Sequence, residues 1–167
     1  MGRTGPAVTG SSSLGFTYNF FLNQLSGNTE FLNLFEQYKI NCVVVKFLPK
    51  WGINTTPGTS TYGKIFIAPD YNDSAPVVDE NEMMQKQGVR LIDLTHGRPF
   101  SYKIAPRYLI RAYESVTNDA FKPARGWINT DDPDAPHYGI KMWWSGANVA
   151  LSMDMYVKFY ITCRGVK

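Results

Sequence analysis

The most regular hydrophobic pattern lies at the end of the chain. Leu151, Met153, Met155, Val157, Phe159, Ile161 and Cys163 share one parity, and Ser152, Asp154, Tyr156, Lys158, Tyr160, Thr162 and Arg164 the other. That alternation predicts a long strand with one buried face. Leu14, Phe16, Tyr18, Phe20 and Leu22 alternate in the same way and predict the first strand. Between them, Asn28 to Pro49 joins a short helix to a strand. Asn28 or Thr29 can cap the helix, and Phe31, Leu32, Leu34 and Phe35 fall on one side of it. From Tyr38 the period drops to two. Tyr38, Ile40, Cys42 and Val44 point one way and Val43, Val45 and Phe47 the other, which predicts a central strand covered on both faces and ended by Pro49.

Shorter strands are predicted over Lys64–Ala68, Val89–Leu94, Phe100–Ala105 and Tyr138–Trp144, with Gly126–Ile128 a short strand or strand end. Arg107–Glu114 fits neither period. Asp79 and Glu82 have capping-box spacing and predict a helical turn or two through Met84 and Lys86. Lys50–Gly63, Ser115–Pro123 and Asn129–Pro136 read as loops from their Gly, Pro, Asn and Thr content, and residues 1–13 as an extended arm. About eight strands, one two-turn helix and three long loops suit a two-sheet sandwich or jelly roll. A parallel α/β fold would need a helix after each strand.

Composition supports one domain with its own core. The chain has 167 residues, and 14% are aromatic, mostly within alternating runs. Cys42 and Cys163 fall at strand positions with inward parity and read as buried thiols. No apolar run is long enough to cross a membrane. The net charge of +3 is unevenly spread. Residues 70–82 carry Asp70, Asp73, Asp79, Glu80 and Glu82 without a base, whereas residues 98–125 carry six Lys or Arg against Glu114 and Asp119. The two regions can pair between copies or stay solvated. Candidate chemistry is thin. His96 and His137 are the only histidines, and they stand in no His/Glu cluster of the kind a jelly-roll metal enzyme would show. Asp131, Asp132 and Asp134 lie in a Pro-interrupted turn without the Gly of an EF-hand loop. No phosphate loop or nucleophile elbow is present. No catalytic residue, metal or cofactor is expected. Each of the four Trp can pack, meet a neighbouring copy or stack on a base. Trp143 and Trp144 must face opposite ways on a regular strand, so at most one of them is core and the other is expected to meet a copy.

The run F-L-N-L-F-E-Q-Y-K-I-N-C-V-V-V-K-F-L-P, followed by Pro136-His137-Tyr138-Gly139-Ile140 and the long C-terminal strand, resembles the capsid proteins of circoviruses and related circular single-stranded DNA viruses. The resemblance implies an all-β fold. Its form would be a single viral jelly roll of two facing four-stranded antiparallel sheets, with the short helix after the first strand. Residues 1–13 would be the remnant of an arm and 14–167 the capsid domain. It implies a coat protein that assembles into a sixty-copy icosahedral shell around single-stranded DNA, found in the virion and, during assembly, in the host nucleus. It leaves the host receptor unnamed and implies no membrane insertion. Genome contacts are then expected at Arg3, Lys50, Lys64, Lys103, Arg107, Arg111, Lys158 and Arg164, and subunit contacts at Trp127, Trp143, Trp144, Asp79 and Glu82. Sixty copies at +3 carry about 180 positive charges, fewer than the roughly 500 phosphates of a strand encoding this chain alone. The family's Arg-rich arm would make up part of the difference. Arg3 is the one base before the first predicted strand, so a basic arm ahead of Met1 is expected in the parent reading frame. A soluble sandwich that binds carbohydrate or a receptor is the alternative class, and a jelly-roll enzyme a third.

Overall fold

In a computed structural model, described for residues 2–8, 13–51, 62–114, 119–147 and 151–167, the chain is almost entirely antiparallel sheet. Eleven strands occur among these residues: β1 (Gly2–Val8), β2 (Leu14–Phe20), β3 (Phe35–Trp51), β4 (Tyr62–Pro69), β5 (Arg90–Asp93), β6 (Phe100–Ile104), β7 (Tyr108–Glu114), β8 (Asp119–Ala124), β9 (Ile128–Asn129), β10 (His137–Ala147) and β11 (Leu151–Val166). Two helices, α1 (Asn28–Leu34) and α2 (Glu80–Gln85), accompany them.

One sheet has the order β1-β11-β3-β6, with β9 beside β3, and the other the order β2-β10-β4-β5. Successive strands thus alternate between sheets from β1 to β4. Apart from β4 and β5, which are consecutive, every neighbouring pair within the two large sheets is separated in sequence by other strands, as in a wrapped jelly roll. The stretch read as an arm contributes the outer strand of the first sheet, with Gly2 opposite Tyr156 and Val8 opposite Leu151. The short helix α1 follows β2, the strand expected over Leu14–Leu22, as the sequence predicts; β1 is the additional strand before it. Arg107–Glu114 and part of the Ser115–Pro123 loop pair with each other as the β7–β8 hairpin. That hairpin joins neither large sheet.

The core lies between the sheets. Val43, Val45, Phe47, Tyr102, Ile104, Met153 and Met155 come from one side, and Phe20, Ile65, Ile67, Ile140, Met142 and Trp144 from the other. β11 keeps a single parity throughout, as its alternation predicts. β3 does not. Its pairing with β11 shifts between Cys42 opposite Tyr160 and Ile40 opposite Ile161, leaving Asn41 as an extra residue. A bulge of this kind flips the parity of everything beyond it. Tyr38 and Ile40 therefore point to the same interior as Val43, Val45 and Phe47. Cys42 and Val44 point outward, so the strand is covered on one face and not two. Both cysteines are half-buried free thiols.

The outer face of the second sheet carries a third layer. Residues 70–79 and α2 cross it and bury Phe66, Ala68, Val77 and Met83, with Val89 and Trp143 at the margin. Asp79 caps α2, its carboxylate accepting from the Glu82 amide at 2.6 Å. Glu82 in turn accepts from the Val78 amide at 3.0 Å. By contrast, α1 starts behind Gly27, which sits at φ 79° without a side-chain cap, so neither Asn28 nor Thr29 caps it. Trp143 and Trp144 do face opposite ways. Trp144 is sealed in the main core, which takes it out of reach of a second copy, whereas Trp143 is partly buried at the margin of the α2 layer.

Candidate nucleic-acid interface

The outer face of the first sheet follows from the registers. On β11 it presents Asp154, Tyr156, Lys158, Tyr160, Thr162 and Arg164. The residues opposite them on β3 are Leu48, Lys46, Val44, Cys42, Lys39 and Gln37. On β6, Lys103 pairs with Val44 and Ser101 with Lys46. Lys103 and Lys158 therefore flank Val44, two strand spacings or about 10 Å apart. Lys46 lies one step along the face and Lys50 two steps further. Lys50 pairs with Asp154 at 2.7 Å. Among the described residues, Lys39, Lys46, Lys103, Lys158 and Arg164 have no carboxylate within salt-bridge distance.

Aromatic rings are interleaved with these cations. Tyr156 and Tyr160 are each exposed by more than 40%. The Lys158 ammonium sits 5.1 Å from the centre of the Tyr160 ring. The Arg164 guanidinium lies 4.3 Å over Trp127 and donates from Nε to Gln37 at 2.7 Å, which holds it flat against the face. Arg125 borders the same face and donates to the Asn41 carbonyl at the bulge, 3.0 Å away. Cations at these separations suit successive phosphates, and exposed rings suit unpaired bases.

Of the cations singled out from sequence, Lys50, Lys103, Lys158 and Arg164 meet on this face. The others do not join them. Lys64 is exposed on β4 of the second sheet. The guanidinium of Arg107 lies 4.7 Å over Tyr71, and its backbone bridges to Tyr138. Arg111 is clamped within its hairpin by Glu114 at 3.0 Å and Asp119 at 2.7 Å. The β1 backbone places Arg3 opposite Met155; its side chain lies outside the described residues. Sequence reading missed Lys39 and Lys46. Both sit on the strand that carries the bulge, and only the parity flip brings them to one face.

The acidic segment is engaged within its own chain. Lys141, on the outer side of β10, is 2% exposed and meets Asp73 at 2.6 Å and Asp70 at 3.3 Å. Lys86 reaches Asp70 at 2.8 Å and Glu82 at 3.6 Å. Burial alone would raise the Asp70 carboxyl. Hydrogen bonds from Lys86 and the Asn72 amide, with the charges of Lys141 and Lys86, outweigh it and hold the group below its ordinary value. Of the expected subunit contacts, Trp127 carries Arg164, while Asp79 and Glu82 serve α2. Among the described residues no three His, Cys, Asp or Glu side chains are gathered to hold a metal ion, and no helix is long and apolar enough to cross a membrane.

Two facing antiparallel sheets wound in this order, one of them with a mainly cationic outer face, are the architecture of a jelly-roll viral coat protein. The circovirus capsid protein family matches residues 3–167, and the chain belongs to that family. It is a self-assembling capsid protein, a component of the virion. Its fold is similar to that of the capsid protein in a crystal structure of the 60-mer BFDV capsid protein. That match has a TM-score of 0.74 at 16% identity and covers 98% of this chain and 90% of that one. The decameric BFDV capsid protein matches with a TM-score of 0.67 at 15% identity, over 98% and 96% of the two chains. A chain in the cryo-EM structure of rhinovirus-B5 matches with a TM-score of 0.51 at 14% identity, over 95% of this chain and 64% of that one. No curated protein sequence matches the chain.

Proposed function

We propose that sixty copies close into a T=1 shell around single-stranded DNA, with the outer face of the β1-β11-β3-β6 sheet turned toward the genome, and that the protein has no catalytic activity. One observation carries the reading. Among the described residues, five cations without carboxylate partners share that face with two exposed tyrosines, whereas Asp70, Asp73, Lys86 and Lys141 neutralise one another elsewhere. Unpaired cations on one surface favour a polyanion, and each phosphate they neutralise adds to the salt dependence of binding. Assembly in the host nucleus follows from the family resemblance and from the proposed DNA cargo.

The test uses purified particles. Replacing Lys46 and Lys158 by Glu in one variant reverses two cations at the centre of the face without touching the core. Particles of the variant should form, hold less nucleic acid by the ratio of absorbance at 260 and 280 nm, and release DNA oligonucleotides at lower salt. Unchanged nucleic-acid content and unchanged salt dependence would refute this placement of the genome.

A further inference from the structure

We infer that the β7–β8 hairpin and the apolar cleft beneath it form a docking surface for a second copy of this chain; the inference rests on the assembly reading above. The hairpin stands apart from both large sheets, and its two strands pair only with each other among the described residues. A lone two-stranded ribbon is marginal in water unless something covers it. Nevertheless it holds two of the more exposed aromatic side chains of the described residues, Tyr113 at 60% and Phe121 at 56%. Behind it lies a cleft of about 440 Å³, lined by Tyr108, Leu109, Phe121, Ile128, Pro136 and Tyr138 together with Ala135. The lining is mainly apolar. The volume is within the range that accepts large inserted side chains.

Charge identifies the occupant. The hairpin carries Arg111 and Lys122 against Glu114 and Asp119, so its net charge is zero. Arg111 is already held by both acids. A surface built for nucleic acid leaves its cations free, as the sheet face does. A surface meeting a copy that bears the same net charge of +3 must bury little unbalanced charge. The neutral, aromatic hairpin meets the second requirement and the cationic sheet the first, so the chain separates contacts with its copies from contacts with the genome. Because apolar contact is weakly screened by salt, the hairpin contact should persist where the sheet face loses DNA.

The experiment compares the full chain with Phe121→Asp and with Ala135→Phe, which fills the cleft from its own wall. Circular dichroism reports the fold, and sedimentation with electron microscopy reports the particles. Both variants should fold, and each should raise the protein concentration needed for shells at least tenfold in 1 M salt. Phe121→Leu should restore assembly. If a variant fails to fold, a Phe121→Cys chain decides instead: the thiol-reactive dye it takes up beyond wild type, whose Cys42 and Cys163 are themselves free thiols, should appear in free subunits and be absent from shells. Shells at wild-type yield from Phe121→Asp and Ala135→Phe, or equal labelling in both states, would overturn the contact while leaving the assembly reading intact. A wild-type chain that stays monomeric at every concentration would overturn both.

Discussion

The ion network under the 70–79 segment gives the sharpest energetic prediction. Replacing Asp70 by Asn keeps its shape and removes its charge. Lys141, almost wholly buried, then keeps only Asp73, whose side chain is 54% exposed. Lys86 keeps Glu82 at 3.6 Å. Removing one partner of a buried pair costs about 3–5 kcal/mol, and the surviving Asp73 contact argues for the lower end, about 3 kcal/mol. In a chain of this size that corresponds to a fall in melting temperature of about 6–12 °C. The combined replacement of Asp70 by Asn and Lys141 by Met removes both buried charges and should recover most of the loss. The effect should also depend on pH. The folded-state pKa of Asp70 lies below its ordinary 3.8. Its stabilisation is therefore complete above pH 3.8 and is lost as pH falls through the lower folded value. The assay is urea unfolding followed by tryptophan fluorescence, at matched protein concentration because assembly adds to apparent stability. Wild type and Asp70→Asn should differ at pH 7 and converge in strong acid. Equal midpoints at pH 7, or a difference undiminished in acid, would refute the reasoning.

Trp144→Ala empties a fully buried site and should cost about 3–5 kcal/mol by the same unfolding assay. Gly15 lies beneath the loop, and an added Cβ would overlap the Val77 carbonyl. Gly15→Val should therefore loosen residues 70–79, seen as faster amide exchange there than in the core sheets. His137 is buried between Tyr38 and Tyr108, and burial lowers its pKa below 6.5. Its neutral form contributes stability in full above pH 6.5, lost as pH falls through the folded value, so His137→Gln should flatten the stability profile over that interval. Asp79→Ala removes the α2 cap and should cost about 1 kcal/mol, read as a shift in the urea midpoint.

Where one strand has one environment, the sequence states it directly. β11 never changes parity and is half-buried throughout, so its alternation names both the core residues and the cations Lys158 and Arg164. The Asp79–Glu82 spacing likewise locates α2. β3 is harder, because a single extra residue at Asn41 moves two apolar sets onto one face, and no local pattern marks a bulge. Lys39 and Lys46 were hidden for the same reason. β1 has only Ala7 and Val8 as apolar positions apart from Pro6 and small residues. Its membership comes from pairing with β11, a contact across nearly the whole chain. The hairpin escaped because Pro123 and the charges of Arg111, Glu114 and Lys122 break any clean alternation in β7 and β8. Lys141 looks like a solvated cation on a strand. It is buried only because a segment about seventy residues earlier folds over it.

The most direct test of the central claim is a cryo-EM reconstruction of particles assembled from this chain with single-stranded DNA. The account predicts sixty jelly rolls with Lys46, Lys103 and Lys158 lining the inner surface against nucleic-acid density and the β7–β8 hairpins buried between copies. Shells in which that sheet face points to solvent, with the DNA against another surface, would contradict it.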